Sequence, residues 1–261
     1  MALAVAALGL LTFGAGWVYT AQHQDASASA AADAKARPAD VRPQPSLPPK
    51  PPQRPQVPAR VVRAAPRQGL PGVSDRTRAR IPAASRQLIL VTGRARNSSE
   101  STATLYTRPA AGADWIRVES WPARNGAKGW STERRYGDLT SPQGVFALTD
   151  AGGLLPKPPG TKLPYDQDES FVPAGSGVNG EPLDGAFDYV VAIGFNRKPG
   201  VSPLDPTQPD GEGKGGYIWL HVDHDGPSRG CVGIPKEGMK KILATLDPAA
   251  KPVIVMGPQG F

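Results

Sequence analysis

The sequence contains one cysteine, Cys231, and three histidines in 261 residues. A lone cysteine cannot form a disulfide within the chain, so the fold has to rest on a core of its own. No CxxC pair, GxGxxG run or P-loop is present, and the sequence marks of zinc ribbons, dinucleotide folds and nucleotide triphosphatases are missing with them. Aromatic residues make up only 7% of the chain. They are not interleaved with basic residues, so nothing marks a nucleic-acid surface.

Proline and glycine are abundant at 30 each, and Lys and Arg outnumber Asp and Glu by 30 to 23. Neither feature is spread evenly. Residues 1–21, MALAVAALGLLTFGAGWVYTA, carry no charge and are long enough as a helix to cross a bilayer core of ~30 Å. No basic residue precedes this run, and Ala26, Ser27 and Ala28 form a small-residue tract suited to cleavage. Residues 1–22 therefore read as a signal anchor or a signal peptide, and both place the remainder outside the cytoplasm. Residues 23–82 read as a disordered linker: proline crowds it from Lys35 onward, and aliphatic side chains are too few to offset the ordering entropy. Residues 34–82 hold eleven Lys or Arg against two Asp, whereas residues 83–261 balance nineteen against nineteen. A cationic tether before a neutral domain suits anionic cell-wall polymers or lipid head groups, and it equally suits a linker kept soluble by its charges.

Residues 83–261 are expected to form one domain, and a fragment starting at residue 83 is expected to fold alone. Its runs RQLILVTG (86–93), TATLYTR (102–108), DWIRVESW (114–121), QGVFALTD (143–150), FDYVVAIGF (187–195), GYIWLHVD (216–223) and PVIVMG (252–257) are short, β-branched or aromatic, and bounded by turn residues. They predict a mainly β fold. One helix is predicted over 235–247, opened by Pro235, with Met239, Ile242, Leu243 and Leu246 on its apolar face. The Gly- and Pro-rich segments 148–170 and 195–216 read as functional or disordered loops.

Two of the three histidines and the cysteine fall within HVDHDGPSRGCVGIP, residues 221–235. On a strand, His221 shares a face with Trp219 and Asp223 while His224 points away, so the two histidines serve one site only if the strand ends before His224. That geometry disfavours a zinc centre. Asp225, Gly226 and Pro227 turn the chain, and Gly230 leaves the backbone before Cys231 bare. Backbone N–H groups there can face a developing oxyanion, and an imidazole within reach can take the thiol proton and return it to a leaving amine. A buried structural cysteine accounts for the same residues. An unpaired thiol in an exported protein is open to oxidation, which favours the nucleophile.

The motif resembles that of the L,D-transpeptidases of the YkuD type, cell-wall enzymes, in a compact form found in actinobacterial members. Their signature of His, a spacer, Ser or Thr, His, Gly, Cys, a hydrophobic residue and Asn is matched by His221, Ser228, Gly230, Cys231 and Val232. The segment YGDLTSPQGVFALT (136–149) is similar to the family's GDxxTPxGxF block through Gly137, Asp138, Ser141, Pro142, Gly144 and Phe146. Three positions depart from the pattern: Arg229 replaces the second histidine, Gly233 replaces the asparagine, and only six residues separate His221 from Ser228. The resemblance implies a β-sandwich with one helix near its C-terminal end, and no cofactor or metal. It also implies that peptidoglycan stem peptides are the substrate, with Cys231 as nucleophile and His221 as proton carrier. A backbone carbonyl at or near Val222 is expected to orient His221, with Asp223 the lesser candidate. Gly230, Val222 and Ser228 are expected to support the oxyanion region, and Arg229, Tyr217 and Trp219 to touch substrate. Arg229 equally reads as a surface residue and Trp219 as core, while His224 reads as a loop residue and Asp138 and Ser141 as turn formers. Hydrolysis by water at the same site, a wall-binding module without catalysis, and a zinc hydrolase are the competing functions.

Overall fold

The computed structural model describes residues 69–261. The apolar segment 1–22 and the linker up to residue 68 lie outside the described residues. A short helix α1 (Asp75–Arg78) leads into strands β1 (Gln87–Gly93), β2 (Glu100–Thr107) and β3 (Ile116–Arg124). Two short strands, β4 (Trp130–Ser131) and β5 (Ser141–Pro142), precede the long β6 (Gly144–Gly153). Then come β7 (Tyr165–Gln167), β8 (Val190–Ile193), β9 (Trp219–Val222), β10 (Val232–Ile234), helix α2 (Lys236–Thr245) and β11 (Val253–Pro258). The fold is mainly β, and all seven expected strands and the expected helix are present.

The strands do not divide into two stacked sheets, as a sandwich requires. Nine of them form one sheet in the order β11-β1-β2-β3-β10-β9-β8-β6-β7, and β11 also pairs with β6. Eight strands thus close on themselves like a barrel, with β7 appended to β6. Closure removes the free edges that an open sheet would expose. The apolar face of α2, made by Met239, Ile242, Leu243 and Leu246, joins the main core with Ile89, Val91, Leu220, Val232 and Ile254.

Strands β1 and β11 run parallel and are apolar on both faces. Ile89, Val91, Ile254 and Met256 belong to the main core, whereas the alternate residues Leu88, Leu90, Val253 and Val255 need a second cover. Leu70 and Val73 supply part of it. The folded unit therefore begins earlier than residue 83: Leu70 is 1% exposed, and Ser74 caps α1 by accepting from the Thr77 N–H. The two expected loops also carry more order than their composition suggests. Segment 148–170 holds the end of β6 and all of β7. Segment 195–216 is tied down by a buried Arg197–Asp150 ion pair of 2.8 Å and by Asn196 bonded to the Gly215 carbonyl at 2.7 Å.

Removing residues 1–68 is expected to leave a stable domain. Removing residues 1–82 deletes the buried Leu70 and Val73 and is expected to cost about 3–5 kcal/mol relative to the longer fragment. Urea unfolding of the two fragments measures this, and equal stabilities would show that residues 69–82 cover nothing of consequence.

Candidate active site

Strand β9 ends at Val222, and the chain returns as β10 in the same direction, with Leu220 beside Val232, His221 beside Gly233 and Val222 beside Ile234. Side chains at paired positions share a face, and alternation carries that face from Gly233 back to Cys231. Trp219, His221 and Cys231 thus lie on one side of two adjacent strands. The sulfur confirms the register: Trp219 N–H donates to Sγ at 3.4 Å, and the thiol donates to the Tyr217 carbonyl at 3.4 Å. Cys231 and His221 line one cavity of about 180 Å³ together with Ser228, Arg229, His224 and Phe187.

The return is held by hydroxyl groups. Ser228 Oγ donates to the Cys231 carbonyl at 2.6 Å and accepts from the Gly230 N–H at 3.1 Å. Gly230 is thereby a supporting residue, because its N–H is already engaged and is not free for an oxyanion. Ser141 Oγ, from the 136–149 block, donates to the Gly230 carbonyl at 2.8 Å. Asp138 shapes the turn before it, accepting from the N–H groups of Arg135 and Thr140 at 2.7 and 2.9 Å. Gly230 has φ +141°, and a Cβ there would lie 2.8 Å from Arg134 Nη2 and 2.9 Å from the Thr140 carbonyl. No side chain fits.

His221 is 2% exposed, and its Nδ1 lies 2.8 Å from the Val222 carbonyl. A carbonyl only accepts, so Nδ1 carries the proton and Nε2 is the basic nitrogen. Burial lowers the His221 pKa to about 4, with His224 adding to the fall and the Val222 carbonyl opposing it. Burial pushes the Cys231 thiol up, while the Trp219 N–H and the Arg134 charge pull it back. At neutral pH the pair rests as imidazole and thiol.

Asp223 does not orient His221. It is paired with Arg124, which also reaches Asp225 at 3.3 Å. A Cβ on Gly233 would meet Asp223 Oδ1 at 3.0 Å, so the bare position opposite His221 makes room for that ion pair. Trp219 is buried among Phe171, Val190 and Ala192, and Tyr217 is exposed beside it. Neither lines the cavity, so neither is placed to touch a ligand there; Tyr217 serves the site through its carbonyl. Arg229 is exposed at the cavity wall and donates to the Ser176 carbonyl at 3.4 Å.

The condition under which both histidines serve one site is met, and Phe187, Glu181 and Arg134, which had no sequence signal, join them. Because β9 stops before it, His224 turns back and stacks on His221, with ring centroids 5.6 Å apart and planes 5° from parallel. Its Nδ1 stands 3.4 Å from Glu181 Oε1, close enough to pair when protonated but outside hydrogen-bond geometry, and both atoms are buried without another partner. Phe187 packs edge-on to His221 at 5.6 Å. Arg134 lies behind the Gly230 turn. Among the described residues no group of three or more His, Cys, Asp or Glu side chains is gathered for a metal, and no helix is long and apolar enough to cross a membrane.

The unfolded chain takes up a proton near pH 6.5 that buried His221 accepts only near 4. Stability is therefore expected to be full above pH 6.5 and to fall as the pH drops from there to about 4, by up to about 3 kcal/mol. A His221→Gln variant should flatten that part of a Tm–pH curve; an unchanged slope would mean the imidazole is solvated. Gly230→Ala is expected to cost at least about 2 kcal/mol and to slow alkylation of Cys231. Thermal melts and thiol labelling test this, and a variant equal to wild type on both would contradict the close packing. Comparison of the chain with family models, with curated proteins and with solved structures gave no match.

Proposed function

We propose that the protein is a cysteine acyltransferase of the L,D-transpeptidase kind, with a YkuD-like fold, acting on peptidoglycan stem peptides. The observation that carries this reading is the parallel register of β9 and β10, which lays Cys231 and His221 on one face beside one cavity. In the first step Sγ adds to the amide carbonyl before a terminal D-alanine while its proton passes to His221 Nε2. The C–N bond then breaks, the amine leaves with that proton, and a thioester remains on Cys231. A side-chain amine of a second stem attacks the thioester, His221 takes its proton, and the C–S bond breaks to restore the thiol and complete a cross-link. Water in place of the amine makes the same site an L,D-carboxypeptidase.

The exposed Arg229 guanidinium is suited to a stem carboxylate at the cavity rim. Export to the envelope belongs to the same proposal and rests on residues 1–22. A polyanionic wall or lipid surface as neighbour rests on the basic residues of the linker. The Arg229 and Gly233 departures keep a second reading in view, a wall-binding module that has lost catalysis.

Carbapenems, the β-lactams that acylate the cysteine of this family, divide the readings. Intact-mass spectrometry is expected to show one covalent adduct on the wild type and none on Cys231→Ala, with acylation of His221→Asn slowed by about 10²-fold or more. Wild-type protein that stays unmodified yet sediments with peptidoglycan sacculi would favour the binding module. Hydrolysis abolished by a chelator would favour zinc chemistry.

A further inference from the structure

Arg134, in the connection between β4 and β5, is 7% exposed. Its guanidinium donates to three backbone carbonyls: Nε to Thr140 at 2.8 Å, Nη1 to Lys214 at 2.7 Å and Nη2 to Arg229 at 3.2 Å. The Phe195 ring lies beneath it, 5.8 Å from Cζ. Among the described residues no carboxylate forms an ion pair with it. Asp138, whose charge does reach it, directs both oxygens to Arg135 and Thr140. A guanidinium stays charged at any pH the fold survives. Burying one against carbonyl dipoles, with its nearest carboxylate bonded elsewhere, is costly, and an anion forming beside it lowers that cost.

This cation holds the carbonyl of Arg229 and lies against the bare Cα of Gly230, the two residues that lead into the nucleophile. We propose that Arg134 is the positioning residue of the nucleophile: it fixes the Arg229–Gly230 peptide against the Thr140 and Lys214 carbonyls and supplies the positive charge that faces the Cys231 thiolate. Its charge also acts on the sulfur in the direction that favours the anion. The fork and the charge have separate roles. The fork sets where the sulfur stands, and the charge offsets the burial that keeps it protonated. The proposal rests on the acyl-transfer reading of this site, since only a reacting thiol needs a thiolate.

The test uses the full chain and reads the rate of Cys231 alkylation by iodoacetamide against pH, together with carbapenem acylation. Arg134→Gln removes the charge and is expected to raise the alkylation midpoint by about one pH unit or more. Arg134→Lys keeps the charge but not the fork, and is expected to hold the midpoint within about 0.3 units while acylation slows by about tenfold. A folded Arg134→Gln protein, judged by circular dichroism, with the wild-type midpoint overturns the proposal. So does an Arg134→Lys protein that acylates at the wild-type rate, and this second variant decides the matter if the first does not fold. A wild type that iodoacetamide alkylates and carbapenem leaves untouched would sink the acyl-transfer reading instead, with the alkylation midpoints still testing Arg134.

Discussion

Two neighbouring strands running the same way, joined by a connection as short as residues 223–231, are the constraint on which the site depends. Parallel neighbours ordinarily need a crossover of about a dozen residues or more. Here the chain reverses twice within a tight excursion, with Asp225 at φ 61° and Gly230 at φ +141°. The excursion touches the rest of the fold at Ser228, which bridges Gly126 and exchanges backbone hydrogen bonds with Asn125 and Ala127.

The protonation states follow from where this pair of strands lies. The face carrying His221 and Cys231 is roofed by residues from Gly177 to Phe187, and a roofed face is poor at holding charge. Both groups are therefore driven toward their neutral forms. The groups that favour charge on them are the Trp219 N–H and the buried Arg134 guanidinium for the sulfur, and the Val222 carbonyl for the ring. His224, stacked on His221, opposes a proton on that ring. The imidazole is thus held in its neutral form at neutral pH.

Much of this architecture can be read from the chain. The alternation of Trp219 and His221, the missing side chain at Gly230 and the helix face of Met239, Ile242, Leu243 and Leu246 are local patterns, and local patterns survive folding. Strand β10 was too short for any period to show, and so was the parallel return that it makes. Composition hides the start of the fold, because the proline- and arginine-rich stretch runs on to Pro82, past the buried Leu70 and Val73. The continuous apolar runs LILV (88–91) and VIVM (253–256) already called for cover on both faces, and Leu70 and Val73 were the nearest supply. Arg134 left no trace, since bonds from a side chain to distant carbonyls impose nothing on the residue types that accept them. The roof from Gly177 to Phe187 is irregular backbone and likewise had no period to betray it.

Gly233 leaves room for a pair of charges. Its bare backbone, the Asp223 carboxylate and the Arg124 guanidinium occupy one small volume, so a side chain at 233 presses on the acid that Arg124 holds. The guanidinium then leans on its second carboxylate, Asp225, which stands in open solvent and holds it less firmly.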